Sequence, residues 1–126
     1  MPSPTAVTFD IWLNRMGRFL LASLFLLGAV QKVTDPVPAR DMITSVGLPA
    51  VALWLVAAFN LGAGVLLILG LWLRPLALAL AAYCIATSYF HFIPEDGWQM
   101  SIFVKNWAIA GGLLCLAAQA PNARSA

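Results

Sequence analysis

Charge is scarce in this sequence. Asp, Glu, Lys and Arg make up 10% of its 126 residues, and the net charge is only +2. No block of Lys or Arg could follow a phosphate backbone, which excludes a nucleic-acid partner. Histidine occurs once, at His91, and the two cysteines, Cys84 and Cys115, form no C-x-x-C pair. One imidazole and two separated thiols are too few to hold a metal ion, a haem or an iron–sulfur cluster, so no metal site is expected. The close dithiol of thioredoxin-like or quinone-reducing chemistry is missing as well. Both cysteines read as small buried apolar side chains. Ser88 and His91 share a helix face, but no orienting carboxylate sits at a matching depth, which argues against nucleophilic hydrolysis.

What is present is apolar: 62% of the chain. Crossing a bilayer takes roughly 20 mostly apolar residues in a helix, and four such stretches occur, at about 11–31, 49–72, 75–93 and 98–120. The expected fold is all-α, a single domain over 1–126, built as a four-transmembrane-helix bundle. The opening from Arg15 and Arg18 into 19–30 has the layout of a signal peptide. No A-x-A cleavage pattern follows around Gly28, Ala29 and Val30, so it reads as a retained first helix. Thr8 or Asp10 is the expected cap of that helix, and Pro36 and Pro38 end it. Ala39, Met42, Ile43 and Val46 then recur at i, i+3, i+4 and i+7, opposite Arg40, Asp41, Thr44 and Ser45. This predicts a short amphipathic helix between spans 1 and 2, at the membrane surface or over the bundle mouth. Pro49 suits the first turn of the second span, and Gly70 to Pro75 a tight reversal. Asp96 and Gln99 resemble a capping box at the start of the fourth span, and the tail Pro121–Ala126 reads as frayed. Four spans return both termini to one side. Arg15, Arg18, Arg74 and Arg124 then share that side, against Lys32, Arg40 and Lys105, and the positive-inside rule favours cytoplasmic termini.

Polar side chains are costly at membrane depth and usually face a bundle interior or a water-filled cavity. Lys32, Asn60, His91 and Lys105 therefore stand out. Lys32 shares a helix face with Ala29, Gly28 and Phe25, and Asn60 with Ala57, Ala63 and Gly64. His91 lies over Ser88, Thr87 and Cys84, and Lys105 over Ala108, Ile109 and Gly112. Small or hydroxyl neighbours mark close helix–helix contacts, so all four are expected to turn inward. They would form a polar funnel in the outer half of the bundle with Asn60 at its floor. Each residue also has a plainer role open to it. Lys32 suits snorkelling to the headgroups, and Lys105 an ion pair with Glu95 or Asp96. Asn60 suits a simple interhelical hydrogen bond, and His91 an aromatic belt with Tyr89, Phe90 and Phe92. Trp12, Trp54, Trp98 and Trp107 read as interface anchors.

Longer stretches carry a family likeness. "GRFLLASLFLLGAVQKV" at 17–33, "GLP" at 47–49, "NLGAGVLLILGLWLRPLALAL" at 60–80, "YFHF" at 89–92 and "FVKNWAIAGGLLCLA" at 103–117 resemble the DoxX family of small bacterial membrane proteins. The combination of Lys32, Phe90-His91 and Lys105-Asn106 ahead of Gly111-Gly112 is the specific part. The resemblance implies a four-helix protein of the bacterial inner (cell) membrane, in a group often described as redox-linked and named through a relative associated with thiosulfate:quinone oxidoreductase. It also implies a departure: family members commonly carry glutamate where this chain has Asn60, and an amide takes up no proton in the physiological range.

Three functions fit these residues. The first is a redox-linked subunit that binds a quinone or other small lipophile in the polar pocket, with electrons supplied by a membrane or periplasmic redox protein. Lys32 and Lys105 would balance negative charge on a carbonyl oxygen, His91 would exchange a proton, and Asn60 and Asn106 would complete the polar lining. Gly28, Gly64, Thr87, Ser88 and Gly112 would line the pocket. The second is a non-enzymatic assembly partner of a redox or stress-response complex, docking through 39–46 and the loop around Glu95 and Asp96. The third is a small transporter, which would need a polar route that the inner half offers only at Arg18. A second copy of the chain is a further partner to test, and the residues assign no reaction.

Overall fold

The computed structural model describes residues 1–121, and the remaining tail, Arg124 included, lies outside the described residues. The helices are α1 (Pro4–Thr34), α2 (Val37–Ser45), α3 (Ala52–Leu69), α4 (Leu73–Ser88) and α5 (Gly97–Gln119), with a 3₁₀ turn at Tyr89–His91 after α4. Four segments are long and apolar enough to cross a membrane: Pro4–Thr34, Ala52–Leu69, Leu73–His91 and Gly97–Gln119. The chain divides into two compact helical units, Met1–Gly70 and Leu71–Ala126.

In the first unit α1 packs against α3. Its contact face is spelled by Arg18, Ala22, Phe25, Ala29 and Lys32, where three buried apolar residues lie between two half-buried cations. The facing stripe of α3 is Leu53, Ala57, Asn60, Gly64 and Leu67, all buried. Both stripes repeat at spacings of four and three, which keeps one helix face on its neighbour. Small residues let the backbones approach, as membrane helices require when lipid supplies no hydrophobic drive.

The start of α1 differs from the sequence expectation. Ser3, not Thr8 or Asp10, caps it by accepting from the Ala6 amide at 3.1 Å. Pro4 fills the first helical position, where its missing N–H costs nothing. Thr8 instead donates back to the Pro4 carbonyl at 3.0 Å. The helix ends at Asp35, ahead of Pro36, and α2 follows with Ala39, Met42 and Ile43 half-buried. Pro49 lies in a turn ahead of α3, which is closed by Gly70 in the left-handed conformation at φ 75°.

In the second unit α4 packs against α5. Ala77, Leu80, Ala81, Cys84 and Ser88 form the buried face of α4, and Ala110, Leu113, Leu116 and Ala117 that of α5. Cys84 is buried as expected, whereas Cys115 is exposed on α5, and both are free thiols. Asp96 caps α5 by accepting from the amides of Trp98 at 3.0 Å and Gln99 at 3.3 Å. That is only half of a capping box. The Asp96 amide donates to the Ile93 carbonyl at 2.9 Å, which leaves the Gln99 side chain for another partner.

Candidate functional site

The first unit holds the most distinctive polar group. Lys32 stands two residues before the last residue of α1, and Asn60 is the ninth of the 18 residues of α3. Helical side chains lean toward the N-terminus of their own helix, so the Lys32 stem runs back along α1 and carries its ammonium inward. Nζ donates to Asn60 Oδ1 at 2.9 Å and lies 3.4 Å from the Gly28 carbonyl. Snorkelling would have carried the amine the other way. Gly28 allows the approach: a Cβ there would stand 3.3 Å from Asn60 Oδ1 and 3.7 Å from Lys32 Nζ.

Asn60 is 2% exposed. With Oδ1 committed to the ammonium, its Nδ2 is left buried without a hydrogen-bond partner among the described residues. A buried donor without an acceptor costs about 1–3 kcal/mol. Such groups are rare enough that each one calls for an explanation.

An apolar groove of about 340 Å³ runs between the same two helices, lined by Ala29, Val30, Val33 and Thr34 of α1 and by Ala57, Ala58 and Leu61 of α3. The Thr34 hydroxyl is turned away onto the Val30 carbonyl at 3.0 Å, so the groove presents carbon. Neither Lys32 nor Asn60 is among the residues that line it.

The other expected site residues take separate local partners. Gly64 is buried against Leu26 and the Ala22 carbonyl and serves packing rather than a pocket lining. His91 is half-buried, and its Nδ1 lies 2.7 Å from Gln99 Oε1. An amide oxygen accepts, so Nδ1 carries the proton in this pairing and Nε2 is left as the ring's acceptor when neutral. Lys105 is exposed on α5, with its ammonium 5.7 Å from the centroid of the Trp98 ring. Lys105 therefore does not turn inward as its helix face predicts, and its contact is a cation–π one rather than the alternative ion pair with Glu95 or Asp96. Asn106 is half-buried, and nothing lies within 4 Å of a Cβ built on Gly112. Thr87 bonds back to the Tyr83 carbonyl at 2.9 Å. Ser88 is buried, donates to the Ile85 carbonyl at 2.5 Å and accepts from Trp107 Nε1 at 3.1 Å. Trp107 is therefore a mid-helix clasp between α4 and α5 rather than an anchor at a span end.

Arg18 takes a role that its place in the sequence does not show. Its Nη1 donates to the carbonyls of Leu67 at 2.9 Å and Ile68 at 3.2 Å, and its Nε to Asn14 Oδ1 at 2.9 Å. Those carbonyls belong to the last turn of α3, which has no intrahelical donors of its own. A cation at a helix C-terminus also complements the helix dipole. The visible signal was the i, i+4 spacing of Asn14 and Arg18, one turn below the buried Ala22.

Together these features define a multi-pass α-helical membrane protein with a donor-rich polar pair between its first and third helices. The DoxX family model matches residues 13–92, more than half of the chain, and the protein belongs to that family. The matched region contains Lys32, Asn60 and His91 and stops short of Lys105 and Asn106. Among curated proteins the chain is similar to "Inner membrane protein YqjF" of Escherichia coli K12, at 31% identity over 111 residues, covering 87% of this chain and 85% of the relative. The protein is accordingly a DoxX-family protein of the inner membrane. No solved structure matches the chain.

Proposed function

We propose that this protein binds a small lipophile with an oxygen head group at the Lys32–Asn60 pair, as a ligand-holding subunit beside a membrane redox partner. Quinones are the redox-active class that fits. The observation that carries this reading is the unpartnered Nδ2 of Asn60, buried beside an inward-turned ammonium. Two neighbouring donors suit a carbonyl oxygen, and preorganised donors gain strength where water is excluded.

In this reading Lys32 and Asn60 hold and polarise the head, and electrons pass to or from a partner protein. Both termini are cytoplasmic, since four spans return the chain to its starting side and Arg15, Arg18 and Arg74 fall on that side. The test is equilibrium binding of a short-chain ubiquinone analogue to the purified protein in lipid nanodiscs. Saturable binding that weakens in Lys32→Met and Asn60→Leu supports the site, and its absence in the native protein overturns the quinone as its ligand.

A further inference from the structure

The hydrogen-bonding capacity left at the Lys32–Asn60 pair is one-sided. Asn60 Oδ1 already accepts from Lys32, and the recorded acceptors of the ammonium are a neutral amide and a neutral backbone carbonyl. What remains for a ligand is the two hydrogens on Asn60 Nδ2 and the unused hydrogen on Lys32 Nζ. The site therefore offers donors plus one positive charge. A charge moved out of water is costly unless it is paired and its remaining groups are satisfied. The acidic residues of this unit are Asp10, Asp35 and Asp41, and all three are exposed. Neither of the ammonium's acceptors is a carboxylate.

We infer that the ligand supplies that carboxylate: the site takes a lipophile with a carboxylate head. One carboxylate oxygen accepts from Lys32 Nζ and the other from Asn60 Nδ2. This balances the charge and satisfies the orphaned amide in one event, which a neutral carbonyl does only in part. Charge-assisted hydrogen bonds are about twice as strong as neutral ones. The inference rests on the reading of this pair as a ligand site and adds the charge and the class of the head.

The experiment compares decanoate, decanol and a short-chain ubiquinone analogue for equilibrium binding to the protein in nanodiscs of neutral lipid. Decanoate is expected to bind saturably, with decanol roughly thirtyfold weaker or more, because the alcohol leaves the ammonium without its counter-charge. Lys32→Arg keeps the charge and is expected to retain binding, whereas Lys32→Met loses it. Asn60→Asp is the sharper variant. It places a carboxylate beside Lys32 within the chain, so it is expected to remain folded, shown by an undiminished thermal transition, and to reject decanoate. Equal binding of decanoate and decanol, or decanoate binding kept in Asn60→Asp, overturns the inference. Saturable binding of the quinone analogue without decanoate also overturns it but leaves the ligand site standing. Binding of neither overturns both.

Discussion

Gly64 of α3 sits so close to α1 that a Cβ on it would meet Leu26 Cδ2 at 2.5 Å and the Ala22 carbonyl at 3.3 Å. Gly62, two residues earlier, has nothing within 4 Å of the same construction. The contrast turns a sequence full of glycine and alanine into a test of which face of α3 packs. Gly64→Val is expected to destabilise the protein by about 2 kcal/mol, the usual scale of overpacking. Gly62→Val, on an open face, is expected to stay within about 0.5 kcal/mol of the native protein. Reversible unfolding in mixed detergent micelles separates the two. Equal losses would mean that the contact is misplaced.

At the far end of the same helix pair, Gly70 and Arg18 depend on each other. Gly70 closes α3 with φ at 75°, and a Cβ there would lie 2.6 Å from Arg18 Nη1. Replacing Arg18 with leucine leaves the Leu67 and Ile68 carbonyls without their donor, at an expected loss of about 1–3 kcal/mol. Gly70→Ala is expected to cost about 1 kcal/mol or more through the left-handed backbone alone. It also pushes the guanidinium aside. The two losses should therefore overlap, so that the double variant is less unstable than their sum.

The Lys32–Asn60 pair makes a sharper claim in the ligand-free protein. Lys32→Met strips Asn60 Oδ1 of its donor and adds to an amide that already has an unpartnered nitrogen. Its expected cost is about 1–3 kcal/mol. Lys32→Met combined with Asn60→Leu replaces both polar groups with apolar ones of similar shape, and such exchanges are often nearly neutral. The double variant is thus expected to be more stable than Lys32→Met alone. A thermal transition lower in the double variant than in the single would contradict the pairing. The same double variant should bind no lipophile, which separates stability from function.

The sequence foretold these features unevenly, and the reason is physical. Span number is written in apolar length; the expected spans 49–72, 75–93 and 98–120 compare with α3 at Ala52–Leu69, α4 at Leu73–Ser88 and α5 at Gly97–Gln119. The inward turn of Asn60 followed from the small residues on its face. The helix start at Ser3 was hidden because apolar Val7 and Phe9 precede the acidic residue that looked like a cap. His91 and Gln99 are eight residues apart across Pro94, and no helical periodicity joins residues on either side of a turn. The Trp107–Ser88 bond links two helices and lies equally beyond any single-helix pattern. Nor does spacing show that Lys32 Nζ reaches Asn60 while Nδ2 stays unpaired, since that depends on atomic contact.

The start of α5 offers a last separation of roles, because two side chains expected to cooperate there work apart. Asp96 accepts from the amides of Trp98 and Gln99, while the Gln99 side chain leaves the helix to meet His91 Nδ1 at 2.7 Å. Asp96→Ala is therefore expected to cost about 1 kcal/mol and to speed amide exchange at Trp98 and Gln99, as the loss of an N-cap does. Gln99→Leu keeps the Asp96 cap and is expected to leave that exchange unchanged. Its effect should fall on the imidazole. Without the amide oxygen as acceptor, the tautomer with the proton on Nδ1 loses its preference, and ring nitrogen chemical shifts at a pH where His91 is neutral report the change. If Gln99→Leu frays the first turn of α5 as strongly as Asp96→Ala does, the two side chains form a full capping box and the His91 contact is incidental.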